Sequence, residues 1–339
     1  MRIGAATAVI IGHSWPLSGL DGVPRFAGIS VHHLGVFVFF AVSGFLLTRS
    51  WTRDPRPRAF LIRRCMRIFP ALVVVVLLTV LLIGPLVTAL GAAAYWADPG
   101  TWAYLWNLTL LAQYDLPGVF TTMPNAAVNG SLWSLGVEFC CYLGLVLVSA
   151  TGARVSLGAR ALVLLGAGMA ILGIPLTGAL RTTVIAVTFF LLGSLIADII
   201  QVERHPVWPA LVASVLIAPL PGNWGLVAAW IVVPYAVAVV GTRRSRVAAV
   251  VRSAGDPSYG MYLWAFPLQQ LLIWTFGPPP LLVSIAVVVP AATLFGYASW
   301  HGVERHAIKL GAKASRQGQS RDVERIATPS APGRRDPRL

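Results

Sequence analysis

The sequence predicts an all-α fold, a polytopic membrane helix bundle of about ten transmembrane helices, and three observations predict it. Hydrophobic residues fill 57% of 339 positions and charged residues only 11%, too little polar surface to cover a water-soluble globule of this size. Apolar runs of bilayer-spanning length recur along the chain, starting near residues 2, 33, 68, 132, 160, 183, 207, 224, 258 and 281. The basic residues then fall almost wholly on one side of that arrangement, as the positive-inside rule requires.

The first span opens on Arg2 and carries His13 eleven residues later, with only small or apolar residues between them. Eleven helical steps make about three turns and a rise of about 16 Å, so the two side chains share one face about half a bilayer apart. An imidazole inside a span is costly, and a group that exchanges protons near neutral pH is the kind most often kept there for chemistry. His13 and Trp15 interrupt the apolar run and no small-x-small cleavage site follows, so a short first helix is expected rather than a signal peptide. His32 and His33 open the second span at its outer mouth, where a metal site lacks a third ligand at suitable spacing. The loop after it holds Arg49, Arg53, Arg56, Arg58, Arg63, Arg64 and Arg67, which marks that side as cytoplasmic. With an even number of spans, both termini are expected there too.

Between Gly91 and Gly130 runs the one long external connection, with Trp96, Trp102, Tyr104 and Trp106 suited to lie at the membrane interface. Glu138 sits about two turns into the fourth span, where an unpaired carboxylate is expensive, so a partner such as His13 or an arginine is expected. Arg154, Arg160, Arg204, Arg243, Arg244, Arg246 and Arg252 fall inside, and only Arg25 and Arg181 fall outside. Pro206, Pro209, Pro219 and Pro221 crowd the span near 207. Residues 1–306 read as one transmembrane domain. Residues 307–339, basic and poor in large apolar side chains, read as a disordered cytoplasmic tail. The net charge of +14 thus serves orientation and contact with anionic lipid. No aromatic residues interleave the basic runs, so no nucleic-acid partner is expected. Cys65, Cys140 and Cys141 form no disulfide or metal spacing, and no metal is expected. The basic set is almost all Arg, with only Lys309 and Lys313 besides, which points to a GC-rich, bacterial genome.

Several stretches in a fixed order carry a family resemblance: the Arg2-x10-His13 pair, His32-His33-Leu34-Gly35-Val36-Phe37-Val38-Phe39-Phe40-Ala41-Val42-Ser43-Gly44, Arg63-Arg64-Cys65-Met66-Arg67-Ile68-Phe69-Pro70, Trp133-Ser134-Leu135-Gly136-Val137-Glu138-Phe139, Gly255 to Pro267, and Val303-Glu304-Arg305. Together they resemble the acyltransferase 3 family, integral-membrane enzymes that O-acylate carbohydrates and some small hydroxylated products. The resemblance runs from Arg2 to about Arg305. One departure stands out: where many members carry a histidine after the Tyr-Leu pair of the ninth span, this chain has Tyr262-Leu263-Trp264.

The resemblance implies acyl-CoA, most simply acetyl-CoA, as co-substrate, with no permanently bound cofactor. Arg64 and Arg67 would hold the nucleotide end, because forked guanidinium donors suit phosphate oxygens, and Arg2 would join them. His13 would act as general base on an acceptor hydroxyl, and Glu138 as its partner in catalysis. Ser43, Trp133, Ser134 and Tyr262 would line the pocket. The expected partners are acyl-CoA, a carbohydrate or small hydroxylated acceptor and the lipid bilayer of a bacterial plasma membrane, with oligomeric state left open. On residues alone, other readings stand beside these: His13 as an interfacial histidine, the arginine run as a topology signal, Glu138 as a structural ion-pair member. A multi-span transporter or flippase is the rival class. Against it, the two halves show no matched helices broken by Gly or Pro.

Overall fold

The computed structural model describes residues 1–243, 249 and 253–327; Arg244, Arg246 and Arg252 and the tail residues 328–339 lie outside the described residues. The chain is almost wholly helical. Its principal helices are α1 (Arg2–Leu17), α2 (Val31–Arg53), α3 (Pro57–Leu78), α4 (Trp133–Ser149), α5 (Ala153–Gly173), α6 (Gly178–Ile199), α7 (Trp208–Ile217), α8 (Gly222–Gly241), α9 (Ser258–Phe276), α10 (Leu281–Ser299) and α11 (Arg305–Ala327). One small ribbon, β1 (Arg25–Phe26) against β2 (Ile29–Ser30), closes the connection from α1 to α2. Among the described residues seven helices are long and apolar enough to cross a membrane. α1 with 16 residues, α7 with 10, and α9, which buries Gln269 and Gln270, stand outside that set.

α2 is the centre of the bundle, and glycines let its neighbours approach. A side chain at Gly35 would overlap the Ala5 carbonyl of α1, and one at Gly12 would meet the backbone of His32. On the other flank Gly44 faces the Phe190 carbonyl of α6, and Gly193 of α6 faces the Ala41 carbonyl. Without a hydrophobic gradient between helices in lipid, close packing at small residues and interhelical hydrogen bonds hold such contacts. Thr48 and Ser194 supply one such bond at 2.6 Å, and Arg160 of α5 donates to Ser194 at 2.6 Å and to Asp198 at 2.5 Å. α9 is tied to α1 through Gln269, whose amide donates to the Ile10 carbonyl and to Ser14 Oγ, both at 2.9 Å.

Two expectations change. The helix α11 runs through the boundary expected at 306–307, so residues 307–327 are helical rather than disordered. Ala307, Gly311 and Ser315, four residues apart and buried, form a small-residue stripe, and Gly311 lies against Met66 of α3. In the connection between Gly91 and Gly130, folded as short turns over Ala92–Ala97, Pro99–Ala103 and Tyr104–Thr109, Trp102 and Trp106 are exposed as expected of interfacial residues. Tyr104 is not: it is 1% exposed and belongs to the buried core.

Candidate active site

Three groups of polar side chains lie along the bundle. The first gathers at the end where α1 begins. Arg67 of α3 donates to Asp256 at 2.6 Å, and Arg2 of α1 lies 3.6 Å from the same carboxylate oxygen. Asp256 also accepts from the backbone N–H and the hydroxyl of Ser258, at 3.2 and 2.5 Å. Burial alone would raise its pKa, but the Arg2 and Arg67 guanidiniums and the Ser258 donors hold it well below the usual carboxylate range. Arg67 reaches Glu304 at 3.8 Å and rests over the Trp300 ring at 5.7 Å. Gly255, at φ +105°, is required here, because any side chain would strike that indole. Arg64 points into the same region over Phe60, its Nε buried without a hydrogen-bond partner. The three arginines read as a phosphate dock are therefore brought together. The sequence does not announce Asp256 or Glu304 as members of this group, since the fold brings them to Arg67 from 189 and 237 residues away.

The second group lies mid-bundle. Ser43 Oγ donates to Glu138 Oε1 at 2.6 Å, joining α2 to α4. Glu138 thus pairs with a hydroxyl where His13 or an arginine was expected. Ser134 and Tyr262 pair through their hydroxyls at 2.6 Å, and Tyr262 donates on to the Ser131 carbonyl at 2.7 Å. Phe39 meets the Tyr262 ring edge-on at 5.8 Å, and the Arg2 guanidinium sits over Phe39 at the same distance. A continuous column of side chains thus links the arginine end to the middle. Trp264, at the position of the family histidine, is buried against Phe295 of α10 and serves packing.

The third group surrounds His13. Its ring stacks on His32 with centroids 5.0 Å apart and meets Phe266 of α9 edge-on at 5.4 Å. His32 and His33 lie 4.3 Å apart, and Ser30 bridges them, 3.3 Å from His32 Nε2 and 2.8 Å from His33 Nδ1. Both line a cavity of about 910 Å³ that opens at this end, with Trp133 in its wall. Sequence reasoning left the His32–His33 pair at the outer mouth, unconnected to His13. The ribbon between α1 and α2 and the close approach at Gly12 bring them together, and Gly12 beside His13 was the only local signal. Among the described residues no three His, Cys, Asp or Glu side chains are placed to hold a metal ion.

A half-buried histidine stacked on the His32 wall of a cavity, joined by one helix to a basic cluster at the far end, is an arrangement that can bring an anionic donor and a hydroxylated acceptor to one proton carrier. A family model described as an acyltransferase domain matches residues 1–301. The chain belongs to the acyltransferase 3 family. It is therefore an enzyme, an acyltransferase for groups other than aminoacyl groups. Among its relatives is an O-acetyl transferase of Shigella phage Sf6, 26% identical over 325 residues that cover 90% of this chain and 93% of the relative. Another is nodulation protein 10 of Rhizobium leguminosarum bv. viciae, 32% identical over 165 residues, 43% of this chain and 41% of that protein. No solved structure matches the acyltransferase.

Proposed function

We propose that this acyltransferase moves an acetyl group from acetyl-CoA to a hydroxyl of a carbohydrate or small hydroxylated acceptor, with His13 as general base. The observation that supports it most is α1 itself, which carries Arg2 in the basic cluster and His13 beside the histidine-lined cavity about 16 Å further along one face. Arg2, Arg64 and Arg67 hold the phosphates of the donor. The pantetheine arm runs inward past Phe39 and Tyr262, in a passage walled by Ser43, Trp133 and Ser134. Glu138 keeps Ser43 and the α2–α4 face of that passage in place. His13 takes the acceptor's hydroxyl proton as the new C–O bond forms and the thioester C–S bond breaks, and the proton then goes to the departing thiolate.

In this reading α1, α7 and α9 also cross the bilayer, giving ten spans with both termini cytoplasmic in a bacterial plasma membrane. The phage relative's being an O-acetyl transferase supports acetyl as the group moved. No observation favours the carrier reading. The test is purified protein with radiolabelled acetyl-CoA and a panel of polysaccharides and neutral glycosides. Label on an acceptor that disappears in His13→Ala, with the variant still monodisperse, supports the reading. Undiminished label in that variant removes His13 from the mechanism, and no label on any acceptor overturns the reading as a whole.

A further inference from the structure

Of the basic residues in this chain, the sequence places only Arg25 and Arg181 on the side away from the arginine cluster. They come from different parts of the chain, the ribbon after α1 and the first turn of α6, yet both line the one cavity next to His13. The positive-inside rule works against arginine on that side, so two exceptions converging on a single cavity call for a ligand-based cause. Neither guanidinium is saturated. Arg25 donates to the Gly28 carbonyl at 3.0 Å and Arg181 to Asn223 at 2.9 Å, one hydrogen bond each from a fork of five N–H donors. Among the described residues Asp21 is the only carboxylate in the lining, so its fixed charge is positive on balance.

The rest of the lining suits a sugar. Tyr114 and Trp133 offer ring surface, and Ser30 and His33 offer hydrogen-bonding groups at the edge of the His13 stack. A cavity of about 910 Å³ also lies in the size range of small-ligand sites. We propose that this cavity is the acceptor site and takes a sugar bearing an acidic group, a carboxylate or a phosphate. Arg25 and Arg181 hold that group, and a hydroxyl of the same molecule is turned past Ser30 and His33 toward His13. This inference rests on the O-acyl transfer proposed above and adds the class of acceptor.

The test uses the full-length protein in nanodiscs with labelled acetyl-CoA and three probes: p-nitrophenyl β-glucoside, the matching glucuronide, and glucose 6-phosphate. The expected result is a KM for an anionic probe about tenfold or more below that of the glucoside at low ionic strength, the factor given by one charge-assisted hydrogen bond. Rising salt should shrink the difference. Arg25→Gln and Arg181→Gln, checked for fold by size-exclusion and by their KM for acetyl-CoA, should bring the anionic and neutral KM values together. A preference for the glucuronide alone assigns a carboxylate, and one for the sugar phosphate alone assigns a phosphate. Equal KM values for all three probes, label on none of them, or a preference that survives both substitutions overturns the inference. If the variants do not fold, the wild-type probe ratio and its salt dependence decide. The broader reading is judged separately, by the acceptor panel above, so a failure of this inference alone is distinguishable from a failure of that reading.

Discussion

At the scale of single residues, the proposed transfer gives His13 and Arg67 different steps, so their variants should fail differently. His13 packs against the rings of His32 and Phe266, so His13→Asn is expected to keep that packing while removing the proton acceptor. Its kcat for acetyl transfer should fall by about 10²–10⁴ with the KM for acetyl-CoA little changed, as read by label incorporation against donor concentration. Arg67 bridges Asp256 and Glu304 from the two ends of one planar fork. A lysine there is a point charge that cannot span both and still meet a phosphate, so Arg67→Lys should raise the KM for acetyl-CoA about tenfold, with kcat falling less. An unchanged donor KM would remove Arg67 from the dock. The Arg2–His13 alignment was legible because it lies within one helix, whose geometry is fixed by the backbone. The His13–His32 stack and the Ser43–Glu138 bond were not, because each joins two helices whose approach depends on packing that a linear pattern does not encode.

At the scale of elements, the glycine contacts of α2 and the ion pairs that end it are open to test. Gly193→Val would drive a side chain into the Ala41 carbonyl, a backbone group that cannot swing aside, and should lower stability by roughly 1–3 kcal/mol. Gly166→Ala, on α5 with nothing within 4 Å, should leave thermal unfolding in detergent unchanged or slightly raise it, so equal effects at both positions would refute the packing account. Past the end of α2, Asp54 accepts from Arg56 at 2.6 Å and Arg63 at 2.8 Å. The Arg56 hydrogen bond first, with Arg63, holds its carboxyl down at about 2. A depressed carboxylate stabilises the fold fully above its ordinary pKa of 3.8 and loses that contribution as pH falls toward 2. Melting temperature measured down a pH series should therefore include a drop below pH 4 that is smaller in Asp54→Asn; the pair is half-exposed, so the difference is modest. The positions of most long helices were legible from apolar run length, but α3 begins at Pro57, well before the start expected near 68, because its first turns carry arginines that break the apolar run. The helical nature of residues 307–327 was hidden because the segment's composition is polar throughout. Its signal was a stripe of three small residues at four-residue spacing, which composition averages away.

At the scale of the whole molecule, the proposed transfer depends on sidedness. Arg2, Arg64 and Arg67 gather with Asp256 at one end of the bundle, while Arg25, Arg181 and the histidine-lined cavity mark the other. If the first end is cytoplasmic, acetyl-CoA binds on the side where it is made, and the acceptor meets His13 from the opposite side without either substrate crossing whole. If the orientation is reversed, the phosphate dock faces a compartment without donor, and the proposed transfer has no supply. Cysteine labelling separates the two. With Cys65, Cys140 and Cys141 replaced by Ser, a single cysteine is placed either at Leu20, exposed beside the cavity, or at Lys309, exposed on α11. In intact cells a membrane-impermeant maleimide should modify Leu20→Cys and leave Lys309→Cys untouched until the cells are permeabilised. Blocking Leu20→Cys in this way should also lower acetyl transfer to an added acceptor, because the adduct sits at the mouth of the cavity, while donor binding measured on the other face is retained. Labelling of Lys309→Cys in intact cells would invert the orientation, and labelling of both from outside would break the even count of spans on which the shared side of the termini depends.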